Sequence, residues 1–149
     1  MVSDTIPSVR PRIVLDTNVL VTALRSHRGA SFRLLNLMGK GRFDVMISVP
    51  LVFEYEEVLM RLVDQGLWTK LDMGDLIDYF CRISLPQPIF FLWRPTLLDP
   101  KDDFVLEAAV AGSCDAILTY NKKDFREAEN FGIQILTPKE FLTTIGDLS

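Results

Sequence analysis

The sequence predicts an α/β protein: a three-layer α/β/α sandwich around a central, mostly parallel five-stranded sheet. Three observations carry that expectation. Short apolar runs alternate with amphipathic stretches from residue 12 onward, which is the pattern of a sheet wound with helices. The chain has 149 residues, of which 48% are hydrophobic, enough for one domain with its own core. No repeat or low-complexity segment interrupts the alternation. Residues 1–11 read as a flexible N-terminal arm and 12–149 as a single domain.

The elements follow in order. Arg12–Leu15, rich in branched residues, is a buried strand. Thr17–Arg25 and Ser31–Lys40 read as helices separated by "SHRGA", with Gly39 and Gly41 marking the end of the second. Phe43–Ser48 is a second strand. Pro50 opens the next helix, at a position where its missing N–H costs nothing; the helix runs to Asp64 with Leu51, Tyr55, Val58, Leu59 and Leu62 inward. Lys70–Arg82 is a further helix, with Leu71, Leu76, Ile77 and Phe80 inward. Ile89–Trp93 is expected as the third strand. Asp99-Pro100 then caps a helix over Lys101–Ala111. Ala116–Thr119 forms the fourth strand, a short helical piece spans Asp124–Asn130, "GIQILTP" is the fifth strand, and Pro138–Ile145 closes the chain.

Composition narrows the chemistry. The single histidine, His27, lies in a loop beside Gly29. That scarcity removes Ser-His-Asp and Cys-His catalysis and histidine-rich metal sites. The two cysteines, Cys81 and Cys114, stand apart and read as ordinary reduced thiols. A net charge of −4 speaks against nucleic-acid binding by broad positive potential, though not against an acidic pocket neutralised by a cation. The apolar runs are too short to span a bilayer, and a cytoplasmic protein is the expectation.

In open parallel sheets, ligands bind beyond the carboxyl ends of the strands. Asp16 directly follows the first strand. Glu54 lies in the second turn of the helix after the second strand. Asp99, Asp102 and Asp103 stand at the start of the helix after the third, and Asn121 and Asp124 follow the fourth. Each has a plainer reading. Asp16 and Asp99 suit helix caps, Asp102 and Asp103 favour the positive end of a helix dipole, and Asp124 suits a cap or a surface charge. So many acids at one edge would repel or hold protons, unless a divalent cation sat among them. Glu57 points away from the apolar stripe, whereas Glu54 borders it, half-buried.

These segments resemble the PIN domain, a nuclease family. The likeness rests on "IVLDTNVLVTAL", "ISVPLVFEYEEVL", "LDPKDDFVLEAAVAGSCDAILTYNKKDF" and "GIQILTPKEFL", in that order, across nearly all of residues 12–145. The nearest variety is the toxin components of toxin–antitoxin pairs related to VapC. The resemblance implies a Mg²⁺- or Mn²⁺-dependent ribonuclease acting on single-stranded RNA and leaving 5′-phosphate and 3′-hydroxyl ends, with a cognate antitoxin protein as partner; any surplus exposed apolar area on the helices of 31–64 and 70–82 would serve a homodimer or antitoxin docking. It places Asp16, Glu54 and Asp103 as the first three acids, Asn18 as a residue that orients Asp16, and Thr119 as the hydroxyl near the metal. Many members carry an acid where Asn121 stands, so Asp124 takes the fourth place. Lys101, Lys122, Lys123 and Arg126 flank this edge and are candidates for RNA phosphates.

Three other readings compete. A haloacid-dehalogenase-like phosphatase needs a second acid where Asn18 stands. A receiver domain needs an acidic pair after the first strand. A PIN fold that binds RNA or a protein partner without cutting it fits Asn121.

Overall fold

The computed structural model describes residues 10–86 and 100–147. Five strands form one sheet: β1 (Arg12–Leu15), β2 (Asp44–Ile47), β3 (Leu85–Pro86), β4 (Ala116–Leu118) and β5 (Gln134–Leu136). Their order is β3-β2-β1-β4-β5, and every pairing is parallel. Between them run α1 (Thr17–Arg25), α2 (Ala30–Leu37), α3 (Val49–Asp64), α4 (Lys70–Ile83), α5 (Pro100–Ala111) and α6 (Pro138–Thr144), with a 3₁₀ segment over Lys122–Phe131. The expected α/β sandwich with a parallel five-stranded sheet is therefore the fold.

Ile13, Val14 and Leu15 of the central strand are fully buried, because β1 is covered on both faces and flanked on both edges. β2 lies on one side of it, with Ile13 opposite Val45, and β4 on the other, with Leu15 opposite Leu118. This register brings the ends of β1 and β4 level, so residues 16 and 119 emerge side by side. At the opposite end of the sheet, Gly112 lets α5 pass close to β2. A Cβ there would lie 3.0 Å from the Ala108 carbonyl oxygen and 3.0 Å from the Met46 methyl carbon.

Local chemistry sets the helix starts. Ser48 accepts the Leu51 N–H at the head of α3, directly before Val49-Pro50. Thr69 with Asp72 and Thr137 with Glu140 form capping boxes on α4 and α6. Gly132, with φ of 75°, ends the 3₁₀ segment in the left-handed region.

The structure departs from expectation in α4. Leu71 is 74% exposed, and Met73 takes the inward place. The reason is spacing: 73, 76, 77 and 80 lie on one helical face, whereas 71 falls off it. The strand expected over 89–93 lies outside the described residues. The edge strand that is described, β3, comes directly after α4 and pairs Leu85 with Met46 and Pro86 with Ile47. A proline is tolerated there because the strand is at the sheet's edge. Among the described residues, no helix is long and apolar enough to cross a membrane.

Candidate active site

Asp16 is the residue on which β1 ends and α1 begins. Its backbone is extended, and its N–H donates to the Leu118 carbonyl at 2.9 Å, which prolongs the ladder between β1 and β4 by one rung. Its side chain turns back as the cap of α1, where Oδ1 accepts the Thr17 N–H at 2.8 Å. Oδ2 accepts the Thr119 hydroxyl at 2.8 Å. The capping and active-site readings of Asp16 are thus compatible in one geometry. Oδ1 also faces the Thr17 hydroxyl at 3.5 Å; a carboxylate has about four lone-pair positions, so Oδ2 keeps room for another partner.

Thr119 is the hub of this site. It is fully buried. Besides donating to Asp16, its Oγ1 accepts the Asn121 N–H at 2.9 Å and faces the Asn18 amide at 3.5 Å. Asn18 Oδ1 in turn faces the Tyr120 N–H at 3.4 Å. Asn18 therefore reaches Asp16 through Thr119.

Burial raises the pKa of Asp16 above the ordinary carboxylate range, and the nearby charge of Asp124 adds to the rise. The bonds from Thr119 and Thr17 oppose it. Asp124 thus shares the electrostatic neighbourhood of Asp16 while standing exposed in the first turn of the 3₁₀ segment.

Glu54 is more buried than its helical position suggests, at 6% exposure. Its neighbour in α3, Tyr55, is fully buried and donates its hydroxyl to the Leu15 carbonyl, one residue before Asp16. This bond ties the second turn of α3 to the end of β1. Periodicity places Tyr55 only on the apolar stripe; a tyrosine in a fully buried stripe is the signal that its hydroxyl needs a partner. Glu57 is exposed and pairs with Arg61 at 3.1 Å, as its outward position requires.

Asp102 and Asp103 fall in the first turn of α5, which packs against β1, β2 and β4. Their side chains and that of Lys101 lie outside the described part, as does Asp99 altogether. Among the described residues, no three acidic, histidine or cysteine side chains gather as a metal cluster. Asn121, Lys123 and Arg126 are exposed. Lys122 forms an ion pair with Glu140 at 2.6 Å, and that pair with the Thr137 N–H holds the Glu140 carboxyl below the usual range. His27 stacks on Phe32 with ring centroids 5.0 Å apart.

The parallel α/β domain thus carries a buried, hydroxyl-oriented aspartate at the carboxyl end of its central strand. A family model described as PIN domain matches residues 12–123, and the chain belongs to that family. PIN domains are generally nucleases and typically use divalent metal ions. Among solved structures, a crystal structure of VapBC2 from Rickettsia felis bound to a DNA fragment from their promoter is similar in fold, with a TM-score of 0.58. The likeness covers 85% of this chain and 98% of that chain at 16% sequence identity. No curated protein sequence matches the chain.

Proposed function

We propose that the protein is a Mg²⁺- or Mn²⁺-dependent ribonuclease that hydrolyses phosphodiester bonds of single-stranded RNA, as the toxin of a cytoplasmic toxin–antitoxin pair. The observation that carries this reading is Asp16: a buried carboxylate at the carboxyl end of the central strand, with Asp124 near enough to raise its pKa. A hard divalent ion suits such a site, since every candidate donor is an oxygen and the carboxylate has lone pairs left. Asp16, Glu54, Asp103 and Asp124 would hold it. When bound, such an ion supplies a more acidic water and offsets phosphate charge.

The chain's own residues set the stage for that chemistry. Thr119 and the Thr17 N–H fix both oxygens of Asp16, so the carboxylate does not need to reorient when substrate arrives. Asn18 holds Thr119 and the backbone after it. Lys123 and Arg126 are exposed on the rim, where they can meet backbone phosphates. Lys122 would do so by exchanging its partner Glu140 for a phosphate. The fold likeness to VapBC2 supports an antitoxin protein as partner.

A second reading, a PIN module that binds RNA without cutting it, draws on Asn121. Mixed single-stranded RNA incubated with purified protein across a Mg²⁺ and Mn²⁺ titration separates the two. Metal-dependent cleavage that disappears in Asp16→Asn supports the nuclease; RNA binding with no cleavage at any metal concentration supports the module.

A further inference from the structure

We propose that Tyr120 is a stacking platform for an unpaired nucleobase next to the scissile phosphate. The proposal rests on the ribonuclease reading above. Tyr120 directly follows Thr119, so its backbone lies one residue from the hydroxyl that holds Asp16. The residue is 42% exposed, yet its phenolic oxygen is 2.5 Å from Ser31 Oγ, and Ser31 is fully buried near the start of α2. The backbone on either side is also held. The Asn121 N–H bonds to Thr119 Oγ1 at 2.9 Å, and the Tyr120 N–H faces Asn18 Oδ1. An aromatic residue that is open to solvent and anchored at its far end loses little freedom when a flat ligand settles on it.

The charge of the chain makes such a platform useful. At net charge −4, with an acidic site and Lys122 already paired, attraction to phosphates is a weak source of affinity. Stacking needs no positive charge, and every base offers a π-face. The bond to Ser31 holds the side chain by its hydroxyl while the residue stays partly open to solvent. A tyrosine serving only as a bracket between β4 and α2 would depend on its hydroxyl and not on its ring.

The test compares wild type, Tyr120→Leu, Tyr120→Phe and Ser31→Ala in metal-supported cleavage of a single-stranded RNA oligonucleotide. A parallel series carries one abasic nucleotide at successive positions around the cleavage point. Stacking predicts that Tyr120→Leu raises KM by roughly five- to hundredfold, while kcat changes less than KM. Tyr120→Phe, which keeps the ring, stays much nearer to wild type. One abasic position should weaken wild type and have no added effect in Tyr120→Leu. The bracket alternative predicts instead that Tyr120→Phe and Ser31→Ala are as harmful as Tyr120→Leu and that abasic penalties are the same in all variants; that result overturns the proposal. Should Tyr120→Leu fail to fold, photocrosslinking of wild type to 5-iodouridine-substituted RNA decides. A crosslinked peptide containing Tyr120 supports stacking, and crosslinks confined to other peptides reject it. If wild type neither binds nor cuts RNA, the ribonuclease reading itself falls and takes this inference with it.

Discussion

The two ends of the sheet handle aspartates in opposite ways. At the amino end, Asp44 opens β2 and pairs with the Arg10 guanidinium at 2.8 Å. Asp115, just before β4, is exposed and accepts the Arg12 N–H at 2.8 Å. At the carboxyl end, Asp16 also accepts a backbone N–H at a strand terminus, but it is buried, and its bonds from Thr17 and Thr119 come from neutral donors. Burial raises its pKa, and the charge of Asp124 adds a smaller rise. The comparison teaches that an aspartate at a strand end is ordinary structural punctuation when water or arginine meets its charge. It becomes a candidate site when the fold buries it and only neutral donors hold it.

The largest way to break this contrast is Asp16→Asn. Metal-dependent cleavage should fall by more than about 100-fold, since even supporting residues of metal sites cost 10- to 100-fold when removed. The metal-free fold should hold or gain stability. The sign follows from burial. The folded pKa of Asp16 is raised from the ordinary 3.8, so its contribution is fully present below that value and is lost as pH rises through the folded pKa. Above that range the wild type carries an unfavourable buried charge that asparagine lacks, while asparagine can still cap α1. Urea unfolding of both proteins from pH 4 to 8 measures this. The wild type should lose ground to the variant as pH rises, and a constant difference would remove the burial argument.

The second effect is on the same axis. Saturating Mg²⁺ or Mn²⁺ should stabilise wild type, by about 2.7 kcal/mol at a hundredfold excess over Kd, and so raise its unfolding midpoint. Asp16→Asn should respond far less. Thermal unfolding with and without EDTA checks it; equal shifts in both proteins would place the bound ion elsewhere.

Much of this contrast was legible in the sequence. The apolar run "RIVL" ends at Asp16, and "AILT" ends at Thr119, so a parallel sheet had to bring the two residues to one edge. Helical spacing separated Glu54 from Glu57 for the same reason: a period of 3.6 residues decides which of two acids shares the buried face. What was not legible depends on contacts between distant segments. Ser31 and Tyr120 are 89 residues apart, and Tyr55 and Leu15 are 40 apart. Periodicity says that such side chains are buried or exposed, but not which polar partner the fold brings to them. On α4 the inward place goes to Met73 and not Leu71, because the helix face is chosen by position.

A smaller effect sharpens the role of the hub. Thr119→Val keeps the shape and removes the hydroxyl, leaving Asp16 without one donor and the Asn121 N–H without its acceptor. Activity should drop about 10- to 100-fold, and stability by about 1–3 kcal/mol. Thr119→Ser should restore most of both. If serine were no better than valine, the methyl group and not the hydroxyl would matter here.

The smallest effect belongs to the other end of the sheet. Arg10 is about half exposed in its side chain and Asp44 about one-fifth, at 50% and 19%, so their ion pair is largely screened by water. Asp44→Asn should cost less than about 1 kcal/mol, with kcat and KM unchanged. The substitution removes an aspartate from a strand end, as Asp16→Asn does, and differs in the burial and neighbours of the carboxylate. Equal damage to cleavage from both would mean that strand-end aspartates matter through the sheet itself. Damage confined to Asp16→Asn would locate the function at the carboxyl edge, where burial sets that carboxylate apart.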